Sequence, residues 1–421
     1  MSIVQSKGKA LLLMSLLLCT FLSLNAQRNT YSPYSRYAYG LLHEPVMGQS
    51  VAMGGASYGL RSASYINPMN PASYSAIDTL TFLFDFSCSA NLSQYREQDL
   101  RGLNLGYTLD HFAMKFPLSK HWGLAMGLYE YSKLGYLYGA SGVLPGMQGE
   151  DDVTYVESYS ASGGLNNLFI GTSISLFDCL SLGINWNYKF GNLSYTNTLS
   201  YSNSLYKGYA ENDLLYLRQS NFDFGLQYFQ KIGKKHRFVV GATYSMPQKF
   251  YSEVNSTHIV RDTLQVAPDA DYRFSTPLSY GLGLSYTFDN RLTVAVDYAY
   301  QDWANAEYYS HTDTLASTQR LALGVEYLPA RMADYYYQVI KYRAGLQISD
   351  SYINFAAGNL KDISLTFGAG LPLKGQRSVL NLAFEIGKTI TPNKQFIQEN
   401  YYKMTLSVAF NETWFMKRKF N

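Results

Sequence analysis

Cysteine is nearly absent, with three in 421 residues. Only Cys88 and Cys179 lie beyond the first 26 residues, on separate predicted elements, so a disulfide framework is excluded. Cys88 falls in the apolar series of its strand and reads as a small hydrophobe. Charge is also scarce, at 15% of residues with a net of +3, which gives no support for a nucleic-acid partner. Past the N-terminal region no stretch approaches the ~18 consecutive apolar residues that a helical membrane span needs. Histidine is sparse and scattered: six residues, with no pair at metal-ligand spacing and no C-x-x-C, so neither a metal nor a cofactor is expected. One catalytic motif does occur. Gly55-Ala56-Ser57-Tyr58-Gly59 matches G-x-S-x-G, but Gly54 precedes it and no helical pattern follows, whereas a nucleophile elbow needs a strand before and a helix after. Asp110-His111 is an isolated pair expected at a strand surface. The chain is not expected to be an enzyme.

What the chain has is alternation. From Tyr402 to Asn411, Tyr402, Met404, Leu406, Val408 and Phe410 interleave with Lys403, Thr405, Ser407, Ala409 and Asn411. A strand sends neighbouring side chains to opposite faces, so this segment has one greasy face and one wet face. The same pattern recurs in about fourteen segments, over 79–93, 101–117, 121–135, 157–176, 180–200, 215–231, 236–251, 272–288, 291–304, 315–328, 338–349, 361–372, 377–390 and 400–411. Short connections near Leu118–Lys120, Phe177–Cys179, Ile232–Lys235, Phe288–Asn290 and Leu373–Gln376 alternate with long ones near 136–156, 201–214, 252–271, 305–314, 350–360 and 391–399. Outer-membrane barrels have that rhythm, with short periplasmic turns and long external loops. An open sheet edge in lipid would leave backbone groups unpaired, so the sheet must close. The fold class is therefore all-β: a transmembrane antiparallel β-barrel of about fourteen strands, in the outer membrane of a Gram-negative-type bacterium. Trp122 beside a short turn and Trp303 at the far end of its strand are expected at the two membrane interfaces.

The chain divides into four parts. Residues 1–26 read as a signal peptide, with Lys7 and Lys9, an apolar centre from Leu11 to Leu24, and a cut after Asn25-Ala26, before Gln27. The rival, a lipoprotein cut before Cys19, has Leu18 where a small residue is wanted. Residues 27–78 lack sustained alternation, carry few charges and many small residues, and read as a plug inside a lumen that side chains alone would not fill. The barrel takes 79–412. A periplasmic tail, 413–421, carries Lys417-Arg418-Lys419. Strand register turns Asp85, Lys115, Lys189, Asp297, Arg320, Glu326, Glu385 and Lys403 to the lumen, because a charge facing lipid at the midplane costs roughly 2–4 kcal/mol. Structural pairing is the first reading for this set, substrate contact the second.

The run Gly48-Gln49-Ser50-Val51-Ala52-Met53-Gly54-Gly55-Ala56-Ser57, followed by Ile66-Asn67-Pro68-Met69-Asn70-Pro71-Ala72 ahead of Leu80, resembles the long-chain fatty-acid transporter family of outer-membrane proteins. The late pair Leu365–Gly370 and Leu380–Glu385 looks like the family too, whereas the Tyr-rich stretch Tyr31–Tyr37 departs from its start. The resemblance implies that Asn70, Pro71 and Ala72 belong to an N-terminal hatch. It also implies lateral release through an opening made by a kink in the third strand, where Gly123, Gly127 and Gly135 stand. The glycines permit a kink, or else close packing of the plug on the wall. The function this implies is diffusive uptake of small hydrophobic molecules, fatty-acid-like or aromatic, with outer-membrane lipid as surroundings. Some members serve protein secretion, so the alternative is a scaffold for a secretion or surface-assembly machine, with proteins of that machine as partners.

Overall fold

The computed structural model describes residues 32–413 apart from 98–99, 145–151, 204, 261–262, 267–271, 313, 332–333, 356–357, 374–376 and 394–395. The signal sequence and nearly all of the basic tail lie outside the described residues.

Fourteen antiparallel strands close into one barrel. They are β1 Thr81–Glu97, β2 Leu100–Ser119, β3 Trp122–Leu144, β4 Val153–Leu176, β5 Leu180–Tyr201, β6 Tyr209–Ile232 and β7 His236–Ser245. The second half is β8 Ser279–Phe288, β9 Leu292–Gln301, β10 Thr318–Tyr327, β11 Lys341–Asp350, β12 Lys361–Pro372, β13 Val379–Ile390 and β14 Gln398–Thr413. Each strand pairs with the next, and β14 returns to β1 with Met404 opposite Ala90 and Thr413 opposite Thr81. The alternation decides which face looks where. Val240, Leu284, Val296, Leu323, Phe367 and Met404 stand exposed on the outside, while Asp85, Asn185, Gln227, Asp297 and Ser407 are buried within. An apolar outer band with a polar interior is the arrangement a bilayer imposes on a closed sheet.

Several spans differ from the expectation. Strands β3, β4 and β6 run past their expected ends, to Leu144, Val153 and Tyr209, while β7 stops at Ser245 and β8 begins at Ser279. The polar ends of the first three mark the exit from lipid, not the end of the ladder. The connection expected over 252–271 contains another strand, Tyr251–Val260, which pairs with β6 and forms a hairpin with Thr263–Val266.

Residues 32–80 precede β1 and pack against inward-facing side chains. They form 3₁₀ turns at Pro33–Arg36, Gly48–Met53 and Pro71–Ser75, and a two-residue strand, Leu41–Leu42. Met47, Tyr65, Ile66 and Tyr74 share an apolar cluster with Leu83, Ala113 and Phe169 of the wall. Met53, Ala56 and Leu60 meet Ala295 and Ala322. A third cluster, rich in aromatics, gathers Tyr34 and Tyr39 with Phe250, Phe274 and Tyr352. Trp303 belongs to this last cluster. It is 1% exposed, with its ring centroid 5.0 Å from that of Tyr352 and 6.0 Å from that of Tyr39, so it is not an interfacial anchor. Its strand ends at Gln301, and the turn Trp303–Asn305 folds it inward. Trp122, by contrast, is exposed beside its turn.

Candidate functional site

The N-terminal segment is held by groups that the wall aims inward. Asn70 caps the Pro71–Ser75 turn: its Oδ1 accepts from Ala72 N–H at 3.1 Å, and its Nδ2 donates to the carbonyls of Tyr58 (2.9 Å) and Leu226 (3.2 Å). Pro71 fits the first turn position because its fixed φ and missing N–H cost nothing there. Ala72 donates nothing from its side chain but packs where Gly183 opens space, since a Cβ on Gly183 would lie 2.4 Å from Ala72 N. Around this turn, Asn185 Nδ2 donates to Pro68 O at 3.1 Å and Oδ1 accepts from Tyr74 O–H at 3.0 Å.

The eight lumen-assigned charges all lie on the inner side, in different roles. Lys115 donates to three carbonyls of the segment, those of Ser62 (3.1 Å), Tyr65 (3.2 Å) and Ala76 (2.9 Å). Asp297 accepts from the backbone N–H groups of Ser57 and Tyr58, the latter at 2.7 Å. Arg320 pairs with Glu44 at 2.9 Å. Glu326 pairs at 2.7 Å with Arg343, which also donates to Tyr65 O–H at 2.7 Å and Asn381 Oδ1 at 2.8 Å. Asp85 meets His111 at 3.3 Å and accepts from Ser407 O–H at 3.1 Å. Lys189 donates to Asn221 Oδ1 at 2.7 Å, and Glu385 accepts from Tyr401 O–H at 3.4 Å. Lys403 lies 4.0 Å from Asp110. Asp110 and His111 are therefore not on the outer surface. A bulge turns both inward, where Asp110 also accepts from Ser89 O–H at 2.7 Å. Ser57 is buried, and its Oγ donates to Gly55 O at 3.0 Å, a local turn bond.

Above these tethers lies a cavity of about 590 Å³. Its lining mixes Leu41, Tyr131, Trp303 and Tyr352 with Glu44, Glu130, Asp223, Lys189 and Lys403. The lining is thus mixed, with apolar and charged groups side by side.

The wall beside the cavity is discontinuous. β2 and β3 pair from Ser119/Trp122 only as far as His111/Tyr129. There the β1–β2 ladder skips Asp110 and the β3–β4 ladder skips Tyr131. Bulges kink strands and end pairing. Beyond them β2 follows β1 and β3 follows β4, and among the described residues no ladder joins β2 to β3. The cavity reaches this seam, being lined there by Asn104, Gly106, Thr108, Glu130 and Lys133. The N-terminal segment covers the freed edge of β3. Leu41 stands opposite Lys133 and Leu42 opposite Ser132, while His43 N–H donates to Tyr131 O at 2.8 Å. Across the seam, Lys133 Nζ donates to Thr108 Oγ1 at 2.7 Å, and within β3 it pairs with Glu130 at 3.1 Å. Burial, then the ammonium groups of Lys133 and Lys403, hold the His43 imidazole well below its ordinary range, so it is neutral.

The three glycines of β3 do not make the kink, which sits at Tyr131. A Cβ on Gly123 would lie 2.1 Å from Tyr74 O, and one on Gly127 2.6 Å from Phe112 O. Gly135 exchanges hydrogen bonds with Ser35 Oγ, at 2.9 and 3.3 Å. These glycines allow close approach of the backbone. The bulge at Asp110 is written in the alternation as a change of phase: Leu103, Leu105, Tyr107 and Leu109 are apolar at odd positions, and Phe112, Met114 and Phe116 at even ones.

A family model described as BamG matches residues 9–421. Several solved structures share the fold. A FadL homologue of Pseudomonas aeruginosa is 12% identical, with TM-score 0.58, over 89% of this chain and 100% of that one. The toluene transporter TodX of Pseudomonas putida is 17% identical, with TM-score 0.56, over 87% and 97%. The toluene transporter TbuX of Ralstonia pickettii is 12% identical, with TM-score 0.54, over 92% and 100%. No curated protein sequence matches the chain significantly.

Proposed function

This chain belongs to the BamG family, and from that premise we propose that it is an outer-membrane barrel with an N-terminal hatch, passing small molecules sideways between β2 and β3. The observation that carries this reading is the ending of the β2–β3 ladder at His111/Tyr129, at the level where the cavity reaches the wall. Below that level the hatch is tied to the wall by Lys115, Asp297, Asn185 and Gly123, so the lumen offers no straight route through. The remaining route enters from the outer rim and leaves through the seam. The charged lining favours a cargo with a polar head and an apolar body. No energy source is encoded, so movement is downhill.

The alternative role, a scaffold in a secretion or surface-assembly machine, is favoured by that same charged lining and by the density of bonds that fix the hatch. Reconstitution separates the two. Liposomes carrying the protein are offered a fluorescent fatty acid and a small aromatic compound, beside liposomes carrying Gly106→Trp. Gly106 is buried at the seam, and an indole there fills the exit. The channel reading expects uptake by the parent and none above protein-free liposomes by the variant. Equal uptake by both removes the seam as the route. No uptake by the parent, together with large proteins retained on gentle purification from its own membrane, establishes the scaffold instead.

A further inference from the structure

We propose that Glu211, Asp213 and His258 form a binding site for a divalent transition metal ion, zinc by preference, on the inner face of the outer rim. Glu211 and Asp213 stand two apart on β6, so they share a face, and His258 on Tyr251–Val260 is the register partner of Glu211. One donor atom from each lies within 4.8 Å of the others, and His258 Nδ1 is 3.3 Å from Glu211 Oε1. Donors around one tetrahedral zinc stand about 3.3 Å apart, so small side-chain rotations close the set and leave one position open.

Two further features point to a cation. Among the described residues, His258 is the sole basic group paired with either carboxylate. The face is also the one that, a few residues on, buries Leu215, Leu217 and Val254 in the aromatic-rich cluster. The carboxylates therefore stand between an apolar floor and water, partly buried, where an ion can reach them. The second oxygen of Glu211 is already oriented by Asn197 Nδ2, at 3.3 Å. Such outer bonds fix a ligand's direction. An imidazole with carboxylates suits zinc better than calcium, which prefers oxygen alone. The bound ion would clip the hairpin to β6.

Protein without a histidine tag, stripped with EDTA and held in detergent micelles, is titrated with Zn²⁺ by calorimetry and with Co²⁺ by visible absorption. The expected result is one saturable equivalent per chain, an intense tetrahedral cobalt spectrum, and loss of both in His258→Ala. His311→Ala, an exposed histidine elsewhere on the rim, binds as the parent does. The isosteric variants Glu211→Gln and Asp213→Asn weaken binding without disturbing heat-modifiable migration, which guards against misfolding of the alanine variant. Absence of saturable binding in the parent overturns the proposal, as does unchanged binding in His258→Ala, or in both isosteric variants.

Discussion

Strand β3 has two halves with opposite surroundings. From Trp122 to Tyr129 it is paired on both sides, with β2 and β4, and its inner face presses on the Pro71–Ser75 turn at Gly123. From Ser132 to Leu144 it pairs with β4 on one side and meets Leu41–Leu42 on the other. The lower half is closed by backbone and by contact too tight for a methyl group. The upper half is closed by a short strand and by side chains, the bond from Lys133 to Thr108 among them. Alternation alone therefore does not make a continuous wall. Continuity also needs a partner in register, and two facing bulges are enough to remove it.

The largest expected effect tests the tightness of the lower half. Gly123→Val places a β-carbon 2.1 Å from the Tyr74 carbonyl oxygen, so the turn must move. The cost is about 1–3 kcal/mol or more, from overpacking. Trypsin should then reach the N-terminal segment, and the denaturant midpoint should fall. Gly102→Val lies on β2 beyond the bulge, where the nearest atom is a Tyr95 side-chain carbon at 3.5 Å. It should stay within about 0.5 kcal/mol of the parent. Equal effects at the two positions would erase the distinction. Next in size is Lys115→Met, which strips a donor from three buried carbonyls and should destabilise by about 2 kcal/mol. Lys133→Met, at the seam, leaves Glu130 half-buried without its partner and should cost about 1 kcal/mol. Denaturant titration ranks them, and the reverse order would mean that the seam, not the hatch, holds the barrel together.

Much of the barrel was readable because lipid imposes a period of two. Leu83 shows the limit of reading residues by type: it is apolar yet sits in the inward series with Asp85, and it is fully buried against the N-terminal segment. Position decided its place, and position was visible. What was not visible depends on partners distant in the chain. Trp303 looked like an interfacial anchor because its strand pattern ran on to it. The buried aromatics that draw it inward, Tyr39 and Tyr352, come from elsewhere in the sequence. Glu211 and His258 belong to two segments read as loops, and only the pairing of those segments brings them together. The polarity of the cavity was half legible: the inward charges followed from register, but which of them tie down the segment and which line open space did not.

The smallest effect sharpens the comparison by pH. His43 lies at the upper half of β3, bonded through its backbone to Tyr131, and its Nε2 has no hydrogen-bond partner among the described residues. Burial, with Lys133 and Lys403 nearby, keeps its folded-state pKa well below the unfolded value of about 6.5. Below that value the released segment takes up a proton that the docked segment refuses. Docking is therefore fully stable above pH 6.5 and weakens as the pH falls, by at most about 1.4 kcal/mol per unit for a single group. Proteolysis of the N-terminal segment should accelerate between pH 7.5 and 5.5 in the parent, while His43→Gln, which carries no titrating proton, should show a flatter profile. A His43→Gln profile as steep as the parent's would mean that the pH response comes from elsewhere, and that the upper half of β3 owes nothing to the neutrality of this imidazole.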